Sequence, residues 1–99
     1  MEFDSDDKIK ATILYHLRRK KVIGGVHTHF DTLKRGFPGH LGGEVNKIAK
    51  ELIKQGLLIT KPAPYGLQIS LNKERLNEIE NFKKKSLDLS FEIYPWLSD

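Results

Sequence analysis

The segment GFPGHLGGEV at 36–45 puts four glycines and a proline directly ahead of NKIAKELIKQG, a run with helical periodicity. Glycine inside a helix costs about 1 kcal/mol relative to alanine, so four at a helix entrance need a use. A bound phosphate, a tight turn between packed helices, or both would supply one. Basic groups stand close by. Projected at about 100° per residue, His40, Gly43, Lys47, Lys50 and Lys54 fall on one side of the helix. Leu41, Val45, Ile48, Ala49, Leu52 and Ile53 fall on nearly the opposite side, giving one basic face and one core face. The alternative for the basic face is simple solvation, with Glu51 forming weak ion pairs with Lys47 or Lys54.

Other chemistries fit less well. A nucleotide-binding P-loop needs Gly-Lys, and that pair occurs nowhere in the chain. GFPG and GHLG match the GXXG loop that clamps single-stranded nucleic acid in KH domains, but neither carries a base between its glycines. Of the four histidines, His16, His27, His29 and His40, an open metal site can be drawn only from His27 and His29 with Asp31. Polar residues at a helix entrance account for them more simply, so neither metal nor cofactor is expected. With no nucleophile next to a base and no confined carboxylate pair, an enzyme is not expected either, nor a small-molecule substrate.

The charge distribution points to a polyanion. The 99 residues carry 17 Lys and Arg against 13 Asp and Glu. Residues 1–7 hold four acids and no base, residues 86–99 three acids and no base, so the span 8–85 has a net charge of +11. Such a body between acidic ends favours nucleic acid as partner, and an acidic membrane surface second. The chain lacks cysteine, which removes thiolate sites and disulfides and suits a reducing compartment. It has no apolar run near 18 residues, and MEFDSDDK does not look like a signal peptide, so a soluble cytoplasmic protein is expected.

The elements that would position these groups follow from periodicity. Ile9, Ile13, Leu14 and Leu17 predict a helix over 6–21, with acids at its start and bases at its end. VIGGV at 22–26 reads as a turn or a brief edge strand. Thr28 and Asp31 form a weak capping box opening a short helix, HFDTLKR, which Gly36 ends. The third helix closes at Gly56. LLITKPAPYGLQISLN then predicts a β-hairpin, Leu58 to Lys61 against Leu67 to Leu71, with KPAPYG as a longish loop holding Lys61 and Tyr65 at its tip. Asn72 caps a fourth helix, KERLNEIENFKKK, and the alternation in SLDLSFEIYPW predicts a C-terminal strand.

Three helices followed by a hairpin is the layout of a winged helix-turn-helix. HFDTLKRGFPGHLGGEVNKIAKELIKQGLLITKPAPYGLQISL resembles the core of a winged-helix DNA-binding domain, particularly the small lysine-rich kind associated with archaea. The resemblance spans roughly residues 8–82, and KELIKQGLLI, a helix passing through glycine into the first wing strand, is its most specific part. It implies an α+β fold with a three-helix core, a β-hairpin wing and a C-terminal helix in a domain over 1–85, followed by an acidic, aromatic tail over 86–99. It also implies double-stranded DNA as partner and a transcriptional regulator or related chromosomal factor as function. Carried onto this chain, the contact positions are Gly43, Glu44, Asn46 and Lys47, with Lys50 and Lys54 farther along. Asn46 would read adenine, Lys47 guanine or phosphate, and Lys50 and Lys54 phosphate. Lys34, Arg35, His40 and Lys61 would surround the backbone. Gly42 and Gly43 stand where such proteins often carry small hydroxyl residues. They fit either close backbone approach to phosphate or close helix packing, and packing is the expectation for Gly36 and Gly39. The same fold also serves as a protein-interaction module without DNA contacts. For the tail, a homodimer contact, docking of another protein and covering of its own core all remain open.

Overall fold

The computed structural model describes residues 5–64 and 66–88. Helix α1 spans Ser5–Arg19, with Asp6 and Asp7 in its first turn and His16, Arg18 and Arg19 in its last, each sign matched to the helix dipole. Its apolar stripe, Ile9, Ile13, Leu14 and Leu17, is buried as the spacing predicts. The helix ends in a Schellman motif. Val22 N–H donates to the Leu17 carbonyl at 2.9 Å and Lys21 N–H to Arg18 at 3.1 Å. Lys21 takes the left-handed conformation, φ 60°, that this motif demands and that glycine usually fills.

The 22–26 stretch is both a turn and a pairing segment. Leu71 N–H donates to the Val22 carbonyl at 2.8 Å, and Gly24 N–H to Leu71 at 3.0 Å. The buried Ser70 hydroxyl donates to the Gly24 carbonyl and fixes the turn.

The next element departs from the sequence expectation. Thr28 opens no helix: Thr28–His29 is strand β1, paired antiparallel with Ile69 and Gln68. Phe30 N–H donates to Leu67 at 2.9 Å, extending that attachment. Helix α2 is reduced to Thr32–Arg35, and its N-cap Asp31 makes no side-chain capping bond. Ladder bonds to a strand some 40 residues away outweigh a local cap worth about 1 kcal/mol. Gly36 is buried and ends α2; Phe37 plunges into the core at 2 % exposure.

A 3-10 turn, Gly39–Leu41, leads into helix α3, Gly42–Lys54. Val45, Ile48, Ala49 and Leu52 form its buried face. Gly56, φ 80°, closes α3 as expected, with Leu57 N–H donating to Leu52 and Gly56 N–H to Ile53, the same motif that ends α1.

Strands β2, Leu58–Ala63, and β3, Gly66–Leu71, form the expected hairpin, in register from Leu58↔Leu71 to Ala63↔Gly66. Its loop is shorter than predicted. Lys61 and Pro62 lie within β2, so Lys61 faces Gln68 across the ladder and is not at the tip. Pro62 is tolerated because β2 is an edge strand of the β1-β3-β2 sheet. Tyr65 lies outside the described residues.

Asn72 does cap the final segment. Its side chain accepts from Glu74 N–H at 3.0 Å and donates to the Gly56 carbonyl at 2.9 Å, joining the ends of two elements. After a 3-10 turn over Lys73–Arg75, helix α4 runs Leu76–Asp88. Ile79 enters the core, Arg18 meets Glu80 at 2.8 Å, and Lys10 sits over the Phe82 ring at 4.6 Å. Residues 86–88, where alternation predicts the start of a strand, continue this helix, and the rest of that segment lies outside the described residues.

Among the described residues the architecture is thus α+β, four helices with a small three-stranded antiparallel sheet, sharing one core to which α1, α3, the sheet and α4 contribute. Among the described residues no helix is long and apolar enough to cross a membrane.

Candidate nucleic-acid interface

Burying Val45, Ile48, Ala49 and Leu52 fixes the rotation of α3 and thereby decides which side chains face outward. Gly43, Glu44, Lys47, Lys50, Glu51 and Lys54 are exposed, and Asn46 is half-buried at the margin. Gly43, Lys47, Lys50 and Lys54 form a single stripe along the outer face. The flanks differ in sign. On one side lie Glu44 and Glu51, and Glu51 shares a cleft with Asp6, Asp7 and Lys10 from the first turns of α1. On the other lies the uncharged Asn46, beside Lys50 at the edge of the stripe.

Lys47 Nζ sits 3.8 Å from Asp6 Oδ2. Among the described residues Lys50 and Lys54 make no ion pair, and Glu51 pairs with neither Lys47 nor Lys54. Two of the three stripe lysines therefore stand ready for an external anion, and the third is shared with α1.

The glycines at the start of α3 answer a question of packing. Among the described residues, a Cβ built on Gly39, Gly42 or Gly43 meets nothing within 4 Å. None of the three has positive φ, and Gly42 is helical at φ −55°, ψ −40°. The packing role expected for Gly39 is therefore overturned, because open space surrounds it. For Gly42 and Gly43 the same open space removes helix packing as a reason. Neither backbone geometry nor crowding among the described residues requires glycine at these positions; Gly43 is exposed and Gly42 half-buried, with its N–H donated to the Gly39 carbonyl.

The remaining sequence-predicted residues are distributed around α3. Lys34 and Arg35 are exposed on α2, His40 is exposed on the 3-10 turn, and Lys61 is exposed on β2. A feature that sequence reasoning missed joins two of these regions. His29, Asp31, Thr32 and Arg35 line a cleft between β1 and α2. His29 Nδ1 accepts from Asp31 N–H at 3.3 Å and lies 3.7 Å from Asp31 Oδ2. The other edge of its ring covers Gly66, leaving its Nε2 only 2.5 Å from where a Cβ on that residue would sit. His29, Gln68 and Lys61 also form one cross-strand row, since Gln68 pairs with both of the others. A two-residue strand has no periodicity to reveal it, so this row was invisible in the sequence. Among the described residues no three His, Cys, Asp or Glu side chains gather as metal ligands.

Compared with protein-family models, curated proteins and solved structures, the chain matches none.

Proposed function

We propose that the chain is a winged-helix protein that binds double-stranded DNA, with α3 in the major groove and the β2-β3 hairpin as its wing, and that it serves as a cytoplasmic transcriptional regulator. The observation that carries this reading is the outer face of α3, where three exposed lysines run in line from a bare glycine start. A stripe of cations on a rigid helix presents concentrated positive charge to the phosphates of a duplex. Lys50 and Lys54 meet phosphate, Lys47 reaches phosphate or guanine, and Asn46 at the margin reads a base edge. Gly42 N–H already donates to the Gly39 carbonyl, so the missing side chains of Gly42 and Gly43 serve to let a phosphate approach the start of α3 at Gly43. Lys34, Arg35 and His40 add contacts beside α2, and Lys61 acts from the face of the wing.

The test is fluorescence anisotropy with labelled duplex DNA across a salt series, comparing the wild type with Lys47→Ala/Lys50→Ala/Lys54→Ala. Wild-type affinity should fall steeply with salt. Loss of three phosphate contacts should reduce the log-log slope by about 2 to 3. Because all three side chains are exposed, the melting temperature should barely move. Absence of binding at low salt, or an unchanged slope in the folded triple variant, would refute the assignment and favour a protein partner for this fold.

A further inference from the structure

We propose that the first turn of α1 is an internal competitor for the DNA, with Asp6 holding Lys47 in the free protein and yielding it when the polyanion docks. This rests on the reading of α3 as the DNA-binding helix and adds a regulatory contact to it.

Asp6 and Lys47 are 41 positions apart, and the packing of α1 against α3 brings them to 3.8 Å. Their side chains remain 46 % and 64 % exposed. An ion pair this wet is weak and opens readily, which a displaceable contact requires. The helix dipole alone favours an acid in the first turn of α1, but it does not explain why that acid meets one particular lysine of the stripe. Asp6 is also the nearest part of a larger acidic border. Asp7 and Glu51 line the same cleft, where Lys10 is the one base against three acids, and Glu44 is exposed on the same flank of α3. The opposite flank carries the uncharged Asn46, beside Lys50 at the edge of the stripe. A polyanion lying along α3 is therefore repelled from the α1 side and drawn toward Lys50 and Lys54, and it gains Lys47 only by replacing the Asp6 carboxylate. The pair sets a threshold: weakly bound polyanions engage two lysines, and only those with a phosphate placed at Lys47 recruit the third.

A double-mutant cycle in the full chain tests this, with a fluorescent 20-base-pair duplex at low salt as probe. Asp6→Asn should tighten binding about two- to fivefold when Lys47 is present and less than twofold when Lys47→Ala is already in place. Raising the salt should shrink the difference. The same factor in both backgrounds would identify Asp6 as a distant repulsive charge and overturn the competitor role, while leaving DNA binding by α3 intact. Weaker binding by a folded Asp6→Asn variant would overturn it as well. If the wild type fails to bind and Asp6→Asn binds, the competitor is supported in its strongest form. If neither binds, both this inference and the DNA reading fall. A melting curve for each variant confirms that the comparison is made between folded proteins.

Discussion

Replacing Gly42 and Gly43 with alanine should make the protein more stable and a poorer DNA binder. Both positions lie in the first turn of α3, neither has positive φ, and an added Cβ at either would meet nothing within 4 Å among the described residues. Where the native conformation suits alanine, the substitution removes unfolded-state freedom and contributes about 0.4 to 1 kcal/mol per site. The pair should therefore add about 1 to 2 kcal/mol, which in a domain of this size raises the melting temperature by about 4 to 10 °C. Gly42 N–H is already given to the Gly39 carbonyl, so the two methyl groups would act by holding a docked phosphate away from Gly43 N–H. Losing a hydrogen bond to a charged group costs about 1.5 to 3 kcal/mol, or about 10- to 100-fold in Kd. Thermal denaturation followed by circular dichroism measures the first effect, and anisotropy with duplex DNA the second. A lower melting temperature would mean that these glycines are crowded after all. A higher one with unchanged affinity would mean that the bare backbone is not where DNA approaches, and the explanation offered for four glycines at a helix entrance would fail. Only the opposed movement of the two quantities supports it.

Two further substitutions test the backbone that holds these elements. Lys21→Gly should stabilise the fold by up to about 1 kcal/mol, because Lys21 occupies a left-handed conformation at the end of α1 that costs an L-residue about 1 to 2 kcal/mol and glycine almost nothing; chemical denaturation with an unchanged m-value would show it, and a loss of stability would count against the Schellman end of α1. Gly66→Ala should destabilise by about 1 to 3 kcal/mol, since Gly66 has φ 134° and its missing Cβ is replaced by the His29 ring. Adding His29→Ala should recover only the crowding part of that loss, leaving the backbone cost, and full recovery would show that φ is not the constraint.

The legible part of the fold was the part written locally. Helical spacing located α1 and α3, Gly56 marked the end of α3, Asn72 marked a cap, and the strand-forming runs around proline and glycine located the hairpin. In each case the signal is carried by residues a few positions apart, whose propensity and periodicity act through adjacent backbone. The same reasoning misjudged Thr28, because a local capping pattern there competes with ladder bonds to Ile69 and Gln68 that no local window contains. It also placed Lys61 at a loop tip, because two prolines in KPAPYG look like a turn when β2 is not known to be an edge strand.

That α3 has a basic face opposite a core face follows from residue order alone, since burying Val45, Ile48, Ala49 and Leu52 leaves Lys47, Lys50 and Lys54 no other side to occupy. Tertiary structure alone decided what surrounds that face. Packing α1 against α3 brings Asp6 to Lys47 and makes one flank acidic, pairing β1 with β3 aligns His29, Gln68 and Lys61, and among the described residues no neighbour crowds an added Cβ at Gly42 or Gly43. These relations join residues far apart in the chain, and their distances come from burying one shared core, a condition that the whole fold satisfies at once and no short segment encodes.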